Sequence, residues 1–235
     1  MIEIWSYLAH GPLLWLTGTL AAYLAGQWAY QASGRNPVAN PAVIAVILLT
    51  VLIQATGTSF ATYFEGAQFV HFLLGPATVC LALPLWENLH RMRKSALPLV
   101  AALIAGSAVS MLSSMAIIWA FGANHEMLAS MAPKAATAAI AIGISEQLGG
   151  SPTMTTLVVL MTGVTGALIA TPILNLMRMR DWRARGFAVG VAAHGFGTAR
   201  AFQVHSTAGA FAGLGMGLNA VLTALLAPLA VRLFQ

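Results

Sequence analysis

Five stretches of 29 to 31 residues contain no Asp, Glu, Lys or Arg, and they limit the possible folds of this chain more than any other feature. They are residues 4–34, 36–64, 95–125, 147–177 and 201–231. Each is longer than the roughly 20 residues that an α-helix needs to cross a bilayer. The stretches are apolar at successive positions, whereas the strands of membrane barrels alternate apolar and polar residues. The pattern predicts an all-α, polytopic integral membrane protein.

The composition excludes the main soluble classes. Lys and Arg contribute 11 residues and Asp and Glu contribute 6, so that 7% of the 235 residues are charged, against about 25% in an ordinary soluble domain. Hydrophobic residues make up 59% and the mean hydropathy is +0.81. So few charges cannot cover the surface of a soluble globule, which excludes a soluble enzyme, a disordered chain and a nucleic-acid binder. The first apolar segment follows Met-Ile-Glu rather than a basic region, so we expect it to be retained as a span.

Helix breakers divide the apolar sequence into spans and interrupted segments. We predict uninterrupted spans at 12–31, 41–57, 97–119, 153–177 and 205–233. Segments 69–86 and 127–148 are interrupted, at Gly75-Pro76 and at Ala132-Pro133, which lie 57 residues apart. A Gly-rich segment follows at 186–202. Interrupted hydrophobic segments at corresponding positions of two halves indicate the binding site of a transporter.

The basic residues predict how the chain is oriented. Seven of them form two clusters between apolar segments: Arg91, Arg93 and Lys94, and Arg178, Arg180, Arg183 and Arg185. If segments 69–86 and 127–148 both crossed the membrane, the clusters would lie on opposite sides, against the positive-inside rule. If both are re-entrant, both clusters are cytoplasmic. We therefore predict one transmembrane domain (1–235) in the inner membrane. It comprises N-terminal spans (1–66), two pseudo-symmetric, inverted repeats (67–122 and 123–180), and the Gly-rich segment with the last span (181–235).

Charged residues at the interrupted segments are candidates for ligand binding, because charges inside a membrane are costly. Lys134 follows Pro133 at the second break, and Arg200 lies within His194-Gly195-Phe196-Gly197-Thr198-Ala199-Arg200. A broken helix exposes backbone N–H groups that favour an anion, so Lys134 and Arg200 predict a carboxylate site. The candidate hydroxyl donors are Thr78, Thr137 and Thr198. The alternative is that both cations extend to the lipid headgroups.

Two further polar residues each have two interpretations. His194 fits a proton relay, because its ordinary pKa is near neutral, or a hydrogen-bonded packing role. Asn219 is an isolated amide in the last span and fits either a substrate contact or a hydrogen bond between helices. Gly209, Gly213 and Gly217 are spaced four apart, which predicts close helix packing.

Metal, disulfide and enzyme chemistry have little support in the sequence. The six histidines lack metal-ligand spacing, and Cys80 is the single cysteine, so we predict no metal site, cofactor or internal disulfide. A Ser–His or paired-Asp arrangement that would indicate an intramembrane enzyme is also lacking, and we expect that the protein is not an enzyme.

Three motifs in order along the chain resemble one family. Gly75-Pro76-Ala77-Thr78 with Leu81-Ala82-Leu83-Pro84-Leu85 is similar to the "LLGPATVALALPL" signature of the LrgB/CidB (YohK-like) membrane family. The other two motifs are Ser130-Met131-Ala132-Pro133-Lys134 with the following Ser145-Glu146-Gln147-Leu148-Gly149-Gly150, and residues 194–201 with Gly209-Ala210-Phe211. Where that family tends to have Lys-Ser-Val-Thr-Thr-Pro, this chain has Lys134-Ala135-Ala136-Thr137-Ala138-Ala139.

The resemblance implies two functional descriptions. One is an antiholin-like regulator of murein hydrolase export and cell lysis. The other is transport of small carboxylates, as in the related plastidal glycolate/glycerate translocators and bacterial pyruvate systems. It also implies a small LrgA/CidA-type membrane partner and a homo- or hetero-oligomer. We expect a multi-pass transporter that binds a small monocarboxylate, such as pyruvate, glycolate or glycerate, at the interrupted helices near the membrane midplane.

Overall fold

The computed structural model describes residues 11–73 and 95–234, together with the single positions 76, 79, 80, 86, 90 and 93. Every regular element in these residues is helical, which confirms the all-α class for this part of the chain. The α-helices are α1 (Pro12–Ala32), α2 (Pro41–Thr56), α3 (Phe60–Phe72), α4 (Ala96–Ala120), α5 (His125–Met131), α6 (Ala138–Gln147), α7 (Pro152–Leu176), α8 (Trp182–Val204) and α9 (Ser206–Leu233), with a 3-10 turn at Pro37–Ala39. The five predicted spans match α1, α2, α4, α7 and α9 to within one residue at each end. Half of the first interrupted segment, 69–86, lies outside the described residues, including Gly75 of its break.

The long helices have the length and apolar composition of membrane spans. Among the described residues, α4, α7 and α9 are long and apolar enough to cross a bilayer, and α2 is a shorter apolar helix. Large apolar side chains on their surfaces are exposed, including Leu97 at 82% and Leu225 at 65%. Such side chains are compatible with lipid rather than water. Together with the composition, these helices identify a membrane protein.

The chain divides into two compact units, Met1–Cys80 and Leu81–Gln235. In the first unit, α2 begins where Asn40 accepts hydrogen bonds from the backbone N–H groups of Ala42 and Val43. Pro41 lies in the first turn, where the missing N–H group of proline would have no partner within the helix. Helix α1 packs closely on its neighbours, because a Cβ at Gly26 would lie 2.5 Å from the carbonyl oxygen of Pro41. Trp15 of α1 is buried edge-on against Tyr63 of α3.

In the second unit, α5 and α6 form a helical hairpin, called hairpin 1 (residues 125–147). The imidazole Nε2 of His125, at its start, donates to the carbonyl oxygen of Leu148, just after its end, at 2.9 Å. The hydroxyl of Ser130 accepts a hydrogen bond from the Ser151 N–H at 2.8 Å, which holds α5 against the start of α7. The chain thus enters and leaves hairpin 1 at the same end, and its tip is the non-helical stretch 132–137.

Helix α8 is a second hairpin, called hairpin 2 (residues 182–204). The chain reverses at Ala193 and His194, whose backbone is non-helical, and His194 has φ +38°. A Cβ at Gly197 would lie 2.9 Å from the carbonyl oxygen of Val189, although residues eight apart in a straight helix are about 12 Å apart. The Trp182 ring, at the start of the hairpin, stacks on the His205 ring just beyond its end, with centroids 4.9 Å apart. The Gly-rich segment predicted at 186–202 is therefore a folded-back hairpin.

Helices α4 and α9 frame both hairpins. At one end, Met111 and Met115 of α4 pack with Leu128 of hairpin 1 and Ala227 of α9. The corresponding cluster at the other end contains Leu103 of α4, Phe187 and Val191 of hairpin 2 and Phe211 of α9. The hairpins therefore enter the frame from opposite ends, and their tips approach each other halfway along α4 and α9.

Small residues allow hairpin 2 to lie directly on α9. A Cβ at Gly186 or Gly190 would lie 2.0 Å from the carbonyl oxygen of Ala208 or Ala212, respectively. The close packing predicted for the glycine series of α9 holds at Gly209, which faces the Phe202 ring, but a Cβ at Gly213 or Gly217 would meet no described atom within 4 Å. The glycines that face backbone atoms across this contact are Gly186 and Gly190 of hairpin 2 and Gly215 of α9, where a Cβ would lie 2.6 Å from the carbonyl oxygen of Phe187.

Candidate functional site

Both hairpin tips meet at Asn219. Its Nδ2 donates to the carbonyl oxygen of Ala135 in the tip of hairpin 1 at 3.0 Å and to that of Val191 in hairpin 2 at 3.1 Å. Its Oδ1 accepts from the Ser107 hydroxyl of α4 at 2.5 Å. Asn219 is fully buried and lies near the middle of α9. Of the two interpretations from the sequence, the structure shows the hydrogen bonds between helices.

Lys134 lies in the tip of hairpin 1, directly after the buried Pro133. Two tight turns form this tip, with the Lys134 N–H bonded to the Met131 carbonyl and the Ala136 N–H bonded to the Pro133 carbonyl. The half-buried ammonium donates to the Ser110 hydroxyl of α4 at 3.1 Å. Lys134 is thus held against the middle part of α4.

The N-terminus of α6 lies beside Lys134. Thr137 is its N-cap residue, and in the described structure the Thr137 side chain makes no capping hydrogen bond. The first turn of α6, residues 138–140, is exposed. Because the first N–H groups of a helix have no partner within the helix, this turn carries backbone donors and the positive end of the helix dipole, four to six residues after Lys134.

His194 forms the tip of hairpin 2 and is buried against α7. Its Nε2 lies 3.0 Å from the carbonyl oxygen of Val159; since a carbonyl only accepts, Nε2 carries a proton. Space for the ring comes from Gly163, where a Cβ would lie 2.5 Å from the imidazole Cε1. A positive φ is costly for a residue other than glycine, and the Val159 bond and the fit at Gly163 hold His194 in that conformation.

The remaining predicted site residues lie in different places. The Thr198 hydroxyl is buried and donates to the His194 carbonyl at 2.8 Å, so it supports the tip of hairpin 2. Arg200 lies closer to the open end of the same hairpin, in a pocket that it lines together with Leu174, Trp182 and Arg185. Thr78 lies outside the described residues. The structure therefore brings Lys134, Thr137, His194 and Asn219 to the two tips and leaves Arg200 in a separate pocket.

Two serines of α4 belong to the site and were missed by the sequence analysis. Ser107 binds Asn219 and Ser110 binds Lys134. They are three residues apart and therefore lie on one face of the helix. The signal for them is present in the sequence, because hydroxyl groups on one face of a very apolar span mark a contact with another polar group.

The ends of the second unit differ in charge. Among the described residues, Arg178, Arg180, Arg183 and Arg185 surround the turn between α7 and hairpin 2, whereas Glu126 and Glu146 lie at the open end of hairpin 1. Asp181 caps hairpin 2 and binds Arg183 at 2.6 Å; the hydrogen bond from the Arg183 side chain lowers the pKa of the Asp181 carboxyl. One end of the unit is therefore strongly basic.

Comparison with known proteins agrees with this arrangement of motifs. The model of the LrgB-like family matches residues 19–233, which is most of the chain. The chain belongs to the LrgB-like family. The resemblance seen in the sequence motifs is thereby confirmed.

The alignments with relatives of this LrgB-like protein cover nearly the whole length of both chains. It is 32% identical over 204 residues to the "Holin-like protein CidB" of Staphylococcus epidermidis, covering 87% of this chain and 89% of that protein. The same identity and coverage apply to the "Holin-like protein CidB" of Staphylococcus aureus. The "Uncharacterized protein YxaC" of Bacillus subtilis is 36% identical over 221 residues, covering 92% of this chain and 94% of that protein. No solved structure matches the chain.

Proposed function

We propose that this LrgB-like protein transports a small monocarboxylate, such as pyruvate, glycolate or glycerate, and binds its carboxylate group at the tip of hairpin 1. The observation that carries this proposal is the position of Lys134: its ammonium lies at a helix break, beside the exposed N-terminus of α6. A cation next to unpaired backbone donors is a favourable site for an anion. Thr137 contributes a hydroxyl donor at the same break.

The arrangement of hairpins supports an alternating-access mechanism. Residues 125–176 and 182–233 each consist of a hairpin followed by a long helix, and both their starts and their ends are 57 residues apart. We infer that they form a pair of inverted repeats with re-entrant hairpins. This pairing differs from the one expected at 67–122 and 123–180; in the first member, residues 74–94 lie mostly outside the described residues. Substrate sites at the interface of such repeats are typical of secondary transporters.

Uptake of radiolabelled pyruvate, glycolate and glycerate into proteoliposomes tests the site. We expect Lys134→Met, which removes the charge but keeps most of the side-chain volume, to reduce uptake by about tenfold or more, because the anion loses its charge-assisted partner. Arg183→Gln is the matched control, since Arg183 is exposed and paired with Asp181. Arg200→Gln measures the separate pocket, and we expect a smaller loss there. Full uptake by Lys134→Met would overturn the site.

A second candidate function is regulation of lysis, which the name of the CidB relatives favours. In this alternative the protein acts as an antiholin-like regulator of murein hydrolase export. The same Lys134→Met variant separates the two functions in cells. If lysis depends on transport, the variant loses both activities, whereas a direct regulator keeps its effect on lysis after uptake is lost.

The proposed setting is the bacterial inner membrane, which the protein crosses several times. The basic end of the second unit, around Arg178 and Arg185, faces the cytoplasm in this proposal, in agreement with the positive-inside rule. The protein acts beside a small LrgA/CidA-type membrane partner, in a homo- or hetero-oligomer. This partner is proposed from the family relationship, since the CidB relatives are named holin-like.

A further inference from the structure

Asn219 is the point at which both hairpins are attached to the α4–α9 frame. An amide side chain has two N–H donors and one carbonyl acceptor. One donor binds Ala135 of hairpin 1 and the other binds Val191 of hairpin 2, while the acceptor binds Ser107. The orientation of the amide is determined by its neighbours, because a backbone carbonyl accepts only. Both donors are thereby used, and we call Asn219 with its two acceptor carbonyls the Asn219 tie.

The two carbonyl groups are available because neither lies inside a continuous helix. Ala135 belongs to the non-helical stretch between α5 and α6. Val191 lies just before the reversal at Ala193 and His194, so the next turn of helix that would supply its donor is absent. In a membrane interior, water does not replace a missing donor, and an unpaired carbonyl is costly. Asn219 therefore stabilises both tips at once.

We propose that the Asn219 tie is a conformational lock shared by the two hairpins and that Asn219 is a positioning residue rather than a substrate ligand. The proposal rests on the transport function above. In the structure the tie is closed and Asn219 is fully buried. Because the hairpins enter from opposite ends, opening of one tip breaks one N–H bond while the second N–H still holds the other tip. A single amide thus opposes opening of both sides together, which a transporter must avoid.

Hydrogen–deuterium exchange of the purified protein in detergent micelles tests the lock without any substrate. The main variant is Asn219→Leu, whose side chain has a similar branched shape but no hydrogen-bond donor. We expect backbone exchange to become about tenfold faster or more in residues 132–140 and 191–198, because both tips open more often. Exchange in the middle of α7 remains unchanged.

Two matched controls separate the lock from general destabilisation. Ser107→Ala removes the partner of the acceptor but leaves both donors in place. Thr223→Val removes a hydroxyl that is also buried on α9, one turn further along the helix. We expect both to change exchange at the tips by less than about threefold.

Three results would overturn the lock: unchanged exchange at both tips in Asn219→Leu, faster exchange in one hairpin alone in that variant, or an equal increase throughout α4, α7 and α9. If Asn219→Leu does not fold, Asn219→Ser replaces it. Because serine keeps one donor, faster exchange at one tip is then expected, and unchanged exchange at both tips overturns the proposal. Failure of the transport proposal would appear only in the uptake assay, whereas failure of the lock would appear in the exchange experiment, so the two are distinguishable.

Discussion

Single side chains at the two tips are held by contacts that leave little room for change. His194 occupies a left-handed backbone conformation, binds the Val159 carbonyl and fills the space above Gly163. The Phe196 ring lies edge-on to His194, with centroids 6.1 Å apart. Strained residues of this kind persist where the surrounding structure determines them. His194 is thus part of the attachment of hairpin 2 to α7, which fits the packing interpretation.

Gly163→Ala tests this fit. The new methyl group would lie 2.5 Å from Cε1 and 2.8 Å from Nε2 of His194, so the ring must move and lose its bond to Val159. We expect a loss of unfolding free energy of about 1–3 kcal/mol, as for other overpacked sites, measured as a lower melting temperature in detergent. Gly143→Ala is the control, because a Cβ there meets no described atom within 4 Å; equal melting temperatures for both variants would contradict the fit.

The hairpins are held to their neighbours by two kinds of contact. Hairpin 1 is attached to the start of α7 by buried hydroxyl groups: Thr155 lies 2.7 Å from Ser145, and Ser130 binds the backbone of Ser151. Hairpin 2 lies directly on α9, because its backbone at Gly186 and Gly190 comes close to the backbone of that helix. Small residues allow helices in a membrane to approach closely, where dispersion contacts replace the hydrophobic effect.

Gly190→Ala tests the approach of hairpin 2 to α9. The added Cβ would lie 2.0 Å from the Ala212 carbonyl oxygen, and backbone atoms cannot rotate away as a side chain can. We therefore expect a loss at or above the upper end of the ~1–3 kcal/mol range for overpacking, larger than that of Gly163→Ala, in the same melting assay. Gly213→Ala on α9, where the new Cβ has open space, should melt within a degree or so of the wild type. A Gly190→Ala protein as stable as Gly213→Ala would show that the helices are further apart.

The two folded-back hairpins determine at which end of the second unit each segment of the chain begins and ends. Each hairpin returns to the end from which it entered, as the His125–Leu148 and Trp182–His205 contacts show. Only α4 and α7 therefore lie between the position of Arg93 and the basic cluster that begins at Arg178. In the proposed topology α4 and α7 each cross the membrane and hairpin 1 is re-entrant, so this topology predicts that both basic clusters lie on one side.

Cysteine labelling in cells measures this topology. In a Cys80→Ser background, we expect Ser95→Cys and Ala184→Cys to be protected from a membrane-impermeant maleimide added outside, and Glu126→Cys to react. The physical reason is that the first two positions adjoin the basic clusters, which the proposed topology keeps in the cytoplasm, whereas Glu126 lies at the opposite end of the unit. Labelling of Ser95→Cys and Ala184→Cys from different sides would contradict the arrangement.

Local signals in the sequence were sufficient for the membrane class and for the five uninterrupted helices and their ends, but not for α3 or hairpin 2. Apolar runs predicted α4, α7 and α9, and helix breakers predicted the tip at Pro133. This works because hydropathy and backbone preference act over a few neighbouring residues. Lys134 was also identified as a candidate from its immediate neighbours, since it is a cation next to Pro133 in an otherwise apolar segment.

The tertiary structure decided which segments fold back and which polar groups meet. Composition alone did not distinguish a Gly-rich crossing from hairpin 2, because the difference depends on contacts with α7 and α9. Lys134 and Arg200 are both cations in apolar segments and were predicted to share one site, yet the structure places them apart. Asn219 joins groups 112 and 84 residues away, at Ser107 and Ala135. Such contacts are selected by the need to pair buried polar groups across the whole bundle, and only the folded chain brings those partners together.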